Sequence, residues 1–323
     1  MAAFFALGIG FLAAGAAVGA VGAVAVVGWA PAHWLALHLV FVGGVSQLVL
    51  GAGQFFAGAF LATDPPPRWL VRLQLCAWNA GTVLVAVGVP ADLAWVTIVG
   101  AVLLAVGLVA FVAGLDRLRR SSLQRAPWAV RWYEACAGFL GVGVLIGVLL
   151  ATGVRWSHGS LLGAHMTLNL AGWFGTAIVG TLHTFFPSLT QTQLRFAALQ
   201  RPTFGAWTLG TVGLAIGYGF GVVPLALAGW LGLALAAALL CTNLVASLRV
   251  TPVALTLPAR LIAAAQACLV LGLSLAFVRA VGGSAGVPPA GSTREAVAIL
   301  LRLGPGDVGV AADRAGRAAG RIQ

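Results

Sequence analysis

Long apolar stretches, each about the length of a membrane-spanning helix, follow one another along the chain. A helix that crosses the hydrocarbon core of a bilayer needs about 20 apolar residues. Two of the boundaries between stretches are marked by Pro90 and Pro224, because a proline ends the helix that precedes it. The pattern predicts an all-α fold, a polytopic membrane helix bundle of about nine transmembrane helices. These helices are expected at residues 4–29, 35–62, 69–89, 91–114, 129–152, 160–187, 203–222, 225–248 and 257–281.

Composition agrees with this pattern and narrows the possible function classes. Hydrophobic residues make up 61% of the 323 residues, charged residues make up 8%, and the mean hydropathy is +1.03. A soluble domain of this size does not have such a composition, so the lipid bilayer is the first expected partner. The net charge of +11 comes from arginines that lie mostly in short loops, and basic and aromatic residues do not alternate as in a nucleic-acid reader. No nucleic-acid partner is therefore expected.

The arginines are concentrated in every second loop, which predicts the orientation of the chain. The loops on the opposite side carry essentially Arg155. By the positive-inside rule the arginine-rich loops and the N-terminus are cytoplasmic, and with nine helices the C-terminus lies outside. The arginines of the rich loops are Arg68, Arg72, Arg117, Arg119, Arg120, Arg125, Arg131, Arg195, Arg201, Arg249 and Arg260.

The two halves of the chain match when one is shifted by 127–129 residues, which predicts an internal repeat. Each unit holds four helices, an even number, so both copies point the same way across the membrane. We expect two parallel four-helix repeats, at 1–122 and 123–250, then a ninth helix in 251–281 and a flexible tail in 282–323. The matched residues are Trp29 with Trp156, His38 with His165, Arg68 with Arg195, and Trp78 with Trp207.

One apolar stretch, residues 164–187, contains two of the five histidines of the chain. Asn169, Gly172, Thr176, Gly180 and His183 follow His165 at helical spacing, so they share one face of the helix. Small residues of this kind form close helix-packing surfaces, with the histidines hydrogen-bonded to neighbours. The alternative is a binding face, in which glycines leave room for a flat ligand and imidazoles bind a metal.

The repeat favours a particular pair of histidines for the binding alternative. A six-coordinate haem b, or a copper ion, between His38 and His165 would have Asn169 and Gly172 beside it. His183 lies roughly 27 Å further along the helix, too far for the same ligand. It would bind a second metal, carry a proton or form an interfacial hydrogen bond.

Two segments resemble a known group of bacterial membrane proteins. WLALHLVFVGGVSQLVLGAGQFF (34–56) and HMTLNLAGWFGTAIVGTLHTFFPSLTQT (165–192) are similar to proteins distantly related to haem–copper oxidase subunit I. These include the NnrS-type haem- and copper-containing proteins linked to the nitric oxide response, and the membrane parts of some multicopper-oxidase or cupredoxin-domain proteins. The likeness covers about 250 residues, and the pattern H-x3-N-x2-G-W followed by G-T-L and P is its most specific part.

The resemblance implies haem binding at His38 and His165 and a place in the bacterial inner membrane. It also implies a redox partner or a cupredoxin domain on the outer face. A complete oxidase site needs six histidines, whereas this chain has five, of which His33 and His158 lie at the membrane edge. We therefore expect no oxygen reduction and no dedicated enzyme activity. The expected roles are electron transfer, gas sensing, or a response to nitrosative or copper stress.

Two other function classes stay open at this stage. A parallel repeat also suits a small-solute transporter, although the predicted spans hold no aspartate and their one glutamate, Glu134, lies near the membrane surface. The third alternative is a non-catalytic membrane subunit of a redox complex.

Overall fold

Eight long helices make up the part of the chain that the computed structural model describes, which is residues 1–24, 31–123, 128–190 and 192–250 with scattered positions from 256 to 272. Two of them, α2 and α6, change from α- to π-helical geometry and back. The helices are α1 (Ala2–Val24), α2 (Ala32–His38, then π-helical Leu39–Val45, then Ser46–Leu61), α3 (Arg68–Gly88), α4 (Ala94–Ser121), α5 (Trp128–Ala151), α6 (Leu161–Thr167, then π-helical Leu168–Gly175, then Thr176–Thr190), α7 (Gln200–Phe220) and α8 (Val223–Val250).

The described residues contain no strand, so the all-helical prediction is confirmed for them. Six helices are long and apolar enough to cross a membrane, namely Ala2–Ala23, Ala32–Leu61, Arg68–Gly88, Ala94–Ser121, Val130–Ala151 and Val223–Arg249. Helices α6 and α7 are not among these six, and in α6 the polar residues His165, Asn169 and His183 lower the mean hydropathy. Most of the predicted ninth helix, 257–281, and the tail lie outside the described residues.

The surface around the middle of the bundle is apolar. Val109 is 68% exposed and Leu209 is 73% exposed, and similar side chains cover the outer faces of α3 and α4. Trp69 and Trp95, the second residues of α3 and α4, are 65% and 69% exposed at opposite ends of the bundle. A broad apolar surface with tryptophans at both ends is what contact with a bilayer requires.

Tryptophan side chains tie the π-helical segments to the next helix. The indole Nε1–H of Trp78 in α3 donates to the Val42 carbonyl in the π segment of α2, at 3.0 Å. Trp207 in α7 makes the same bond to the Ala171 carbonyl in the π segment of α6, at 3.1 Å. Both indoles are buried. Each buried N–H therefore has its partner, and both pairs of residues are separated by a shift of 129.

Close glycine contacts between neighbouring helices recur at the same shift. A methyl group added to Gly81 of α3 would lie 2.7 Å from the Gly100 carbonyl of α4. At Gly210 of α7 it would lie 2.9 Å from the Gly229 carbonyl of α8. Such contacts allow two backbones to approach closely, as membrane helices commonly do.

The packing pairs the histidines differently from the sequence alignment. A methyl group added to Gly19 of α1 would lie 3.6 Å from the Ala36 side chain, and one added to Gly147 of α5 would lie 3.0 Å from His165 Cε1. At these contacts Ala36 and His165 are separated by a shift of 129, whereas the sequence analysis matched His165 with His38 at a shift of 127. The two alignments therefore differ by two residues. The sequence match uses a shift of 127, because Trp29 and His38 have the same spacing as Trp156 and His165.

Candidate functional site

His38 ends the first segment of α2, immediately before the π-helical segment. Its Nδ1 donates to the Trp34 carbonyl at 2.8 Å. Its ring stacks on the Trp34 ring, with centroids 3.9 Å apart and an angle of 23° between the planes. The backbone bond and the stacked ring together fix the orientation of this imidazole.

His165 is held against α5. Its Nδ1 donates to the Gly143 carbonyl at 2.9 Å, a bond between two helices. Asn169, one turn along α6, donates to the His165 carbonyl at 2.7 Å, and the same amide nitrogen lies 3.4 Å from His165 Nδ1. Because Gly147 has no side chain, the imidazole can lie directly against the α5 backbone.

The two imidazoles present the same nitrogen to their surroundings. A carbonyl oxygen can only accept, so each neutral ring has its proton on Nδ1 and its lone pair on Nε2. Neither Nε2 is hydrogen-bonded to another described residue. A backbone-held Nδ1–H with a free Nε2 is the arrangement found in metal-binding histidines.

The packing around His38 is looser than in the middle of α6. Every residue of 34–42 is half-buried, so no face of this part of α2 is fully covered. By contrast, all residues of 172–177 in α6 are buried. The Phe41 and Phe174 rings meet between the two helices, with centroids 5.5 Å apart. The turns of α2 around His38 are thus less densely covered than the middle of α6.

The small residues of α6 pack against α5. A methyl group on Gly172 would lie 2.6 Å from Phe139 Cβ, and Gly180 lies against Trp132. The shared face predicted for these residues therefore exists, and at Gly172 and Gly180 it is a helix-packing surface. Gly172 was expected beside a flat cofactor, but Phe139 fills that space.

His183 lies near the opposite end of α6 from His165, and is only 2% exposed. Its Nδ1 donates to the Val179 carbonyl at 3.0 Å, and its ring is parallel to the Trp132 ring at a centroid distance of 5.7 Å. Neither His183 Nε2 nor Trp132 Nε1 has a hydrogen-bond partner among the described residues. An acceptor and a donor are therefore buried side by side without partners.

The packing also gives His183 a counterpart in α2. Under the shift of 129 this counterpart is Gln54, whose Nε2 donates to the Leu50 carbonyl at 3.1 Å, as His183 donates to Val179. The shift of 127 that matches His38 with His165 would place Phe56 there. Phe56 instead contacts Phe185, with ring centroids 4.8 Å apart.

Buried amides connect α2 and α3. Gln47 Nε2 donates to Asn79 Oδ1 at 2.7 Å, and Gln54 Nε2 donates to Gln74 Oε1 at 2.8 Å. Gln47 Oε1 and Gln74 Nε2 have no partner within the described part of the chain. These amide bonds join the two helices inside the bundle.

Within the described ranges, no group of three or more histidine, cysteine, aspartate or glutamate side chains is placed to hold a metal. Cys76, Cys136 and Cys241 are free thiols. The pair His38 and His165 has only two ligands, which is the number that a haem with two axial imidazoles uses. These two residues would be the ligands if such a group were bound.

Comparison of the chain with protein-family models, with curated proteins and with solved structures gives no match. The fold and the apolar surface define the class of the protein. It is a helical integral membrane protein.

Proposed function

We propose that the protein binds a haem b, or a copper ion, between His38 and His165, and that it serves electron transfer, gas sensing or a nitrosative or copper stress response. The observation that supports this proposal is the state of the two imidazoles. Both have Nδ1 fixed by a backbone carbonyl, and both have Nε2 free inside the bundle. A haem held in this way would supply a one-electron redox couple.

The surrounding residues have positioning roles in this proposal. Trp34 orients His38 by its carbonyl and by ring stacking, and Gly143 orients His165. Asn169 donates to the His165 backbone, and so supports the helix turn that carries the ligand. Two imidazoles on one haem leave no open coordination position, which favours electron transfer over substrate turnover.

The proposal includes a parallel duplication of four-helix units, 1–122 and 123–250. The recurring tryptophan–carbonyl bonds and glycine contacts at a shift of 129 support it. It also includes the bacterial inner membrane, with a cytoplasmic N-terminus, and a redox partner or cupredoxin domain on the outer face.

Small-solute transport is the second candidate, and it is favoured by a different observation. The buried amides between α2 and α3 leave Gln47 Oε1 and Gln74 Nε2 free to bind a polar solute. In this case the histidines would serve only to join helices. In a non-catalytic membrane subunit of a redox complex, the histidines would likewise bind no metal and would only join helices.

The visible spectrum of the purified protein in detergent, with iron and copper analysis, tests the proposal. We expect a Soret band, with sharp α and β bands on reduction, or one bound copper per chain. His38→Ala and His165→Ala should each abolish the signal, because each removes a ligand. The matched control is His33→Ala, since His33 is exposed on the same helix. A colourless protein without iron or copper contradicts the proposal.

A further inference from the structure

A cleft opens at the arginine-rich end of the bundle, between α8 and the segment that leads into α7. Its volume is about 540 Å³. Its wall is formed by Arg195, Phe196, Cys241, Thr242, Val245, Ala246 and Arg249. The wall thus combines two guanidinium groups with apolar side chains.

Buried polar side chains of α8 fix one wall of the cleft. The Asn243 amide accepts from the Phe196 N–H and donates to the Phe196 carbonyl, both at 3.0 Å. The Arg195 N–H donates to Ser247 Oγ at 2.9 Å. Asn243 is 0% exposed and Ser247 is 1% exposed. The backbone that carries Arg195 is therefore bound to α8, which also carries Arg249.

The charge of the cleft is positive and unneutralised. No acidic residue lines it. The ion pairs among the described residues join Arg119 and Arg120 to Asp116, so neither Arg195 nor Arg249 shares in them. Such a site attracts an anion, and two separated guanidinium groups suit the oxygens of a phosphate.

The level of the cleft in the membrane identifies the kind of anion. Helix α8 has 28 residues, a length of roughly 42 Å, whereas the hydrocarbon core is about 30 Å thick. Arg249, in the last turn, therefore lies at headgroup level. Cys241 lies roughly 12 Å nearer the middle of the helix, and Val245 between them is 46% exposed. The cleft runs from headgroup level into the depth of acyl chains.

We propose that this cleft binds an anionic phospholipid, with the headgroup phosphate between Arg195 and Arg249 and an acyl chain along Val245. Basic pockets at this level of membrane proteins commonly hold acidic lipids. The site is independent of the histidine pair, which lies at the other end of the bundle.

Native mass spectrometry of the detergent-purified protein with added phosphatidylglycerol or phosphatidylcholine tests this proposal. We expect retention of phosphatidylglycerol and much weaker retention of phosphatidylcholine. Arg195→Gln and Arg249→Gln should each weaken binding about fivefold, since one basic residue contributes that much near a membrane surface. Arg72→Gln is the control, because Arg72 is exposed at the same end and does not line the cleft.

Two further measurements distinguish binding of a whole phospholipid from binding of a free anion, and loss of the site from loss of the fold. Excess inorganic phosphate should leave most of the lipid bound, because a free anion lacks the acyl chain that contacts Val245. Circular dichroism should show unchanged helix content in both arginine variants. Equal binding of the two lipids, full displacement by phosphate, or undiminished binding by the double arginine variant would each overturn the proposal.

Discussion

Three imidazoles within the bundle form the same backbone bond and differ in what surrounds the other nitrogen. His38, His165 and His183 each donate Nδ1–H to a carbonyl oxygen. His38 and His165 are half-buried, whereas His183 is enclosed beside Trp132. His38 and His165 therefore leave a ligand more access to Nε2 than His183 does.

Replacement of His183 by leucine is expected to stabilise the protein. The buried Nε2 has no partner, and an unsatisfied buried polar atom costs about 1–3 kcal/mol. Leucine removes that cost, and the Val179 carbonyl stays in its helix. Thermal unfolding in detergent should show a higher midpoint for His183→Leu than for the wild type. A clear fall in the midpoint would mean that His183 Nε2 binds a metal or another ligand, which was the alternative that the sequence left open.

Helix α6 is the element in which packing and chemistry share one face. Its first turns direct His165 and Asn169 towards α5, and later turns bring Gly172 and Gly180 against α5 side chains. The same contact therefore positions the candidate ligand and holds the two helices together.

Two glycine substitutions measure how much the contact between α5 and α6 contributes to stability. Gly172→Ala should destabilise the bundle by about 1–3 kcal/mol, since the new methyl would lie 2.6 Å from Phe139 Cβ. Gly138→Ala is the matched control, because no atom lies within 4 Å of the added methyl there. It should stabilise α5 by up to about 1 kcal/mol. Thermal unfolding of both variants checks the difference, and equal effects would exclude tight packing at Gly172.

The sequence predicted the helices well and their detailed geometry poorly. The stretch expected at 35–62 is the helix Ala32–Leu61 in the structure, and the stretch expected at 91–114 is Ala94–Ser121. The second helix continues past the apolar stretch into a last turn that carries Arg119 and Arg120. The π-helical segments were not predicted, since an extra residue in a turn leaves no mark in an apolar sequence.

The candidate site was predictable only in part. His38 and His165 were singled out because ionisable side chains are rare in membrane helices. The partners Trp34, Gly143 and Trp132 could not be found, as a backbone carbonyl or an apolar ring on another helix carries no sequence signal for a particular contact. Asn243 gives no sequence signal for its role, although it fixes Phe196 through two hydrogen bonds.

At the scale of the molecule, alternating helices place the arginine-rich loops at one end. Leu123 lies at that end and is fully exposed, and Arg155 lies exposed at the other end. In a cysteine-free background, a membrane-impermeant maleimide applied to intact spheroplasts should label Arg155→Cys but not Leu123→Cys. The positive-inside rule gives this orientation. The reverse labelling would invert the chain and move the phospholipid cleft to the outer leaflet.

Trp69 and Trp95 set a length scale for the surrounding membrane. They begin consecutive antiparallel helices, so the 21 residues of α3 separate their levels by roughly 31 Å. Because indole rings prefer the headgroup region, the two side chains act as a fixed gauge of bilayer thickness. A bilayer with a hydrocarbon core of about 30 Å satisfies both at once. In a thicker bilayer at least one indole would lie in the hydrocarbon. Lipids with longer acyl chains should therefore lower the stability of the folded protein in the membrane.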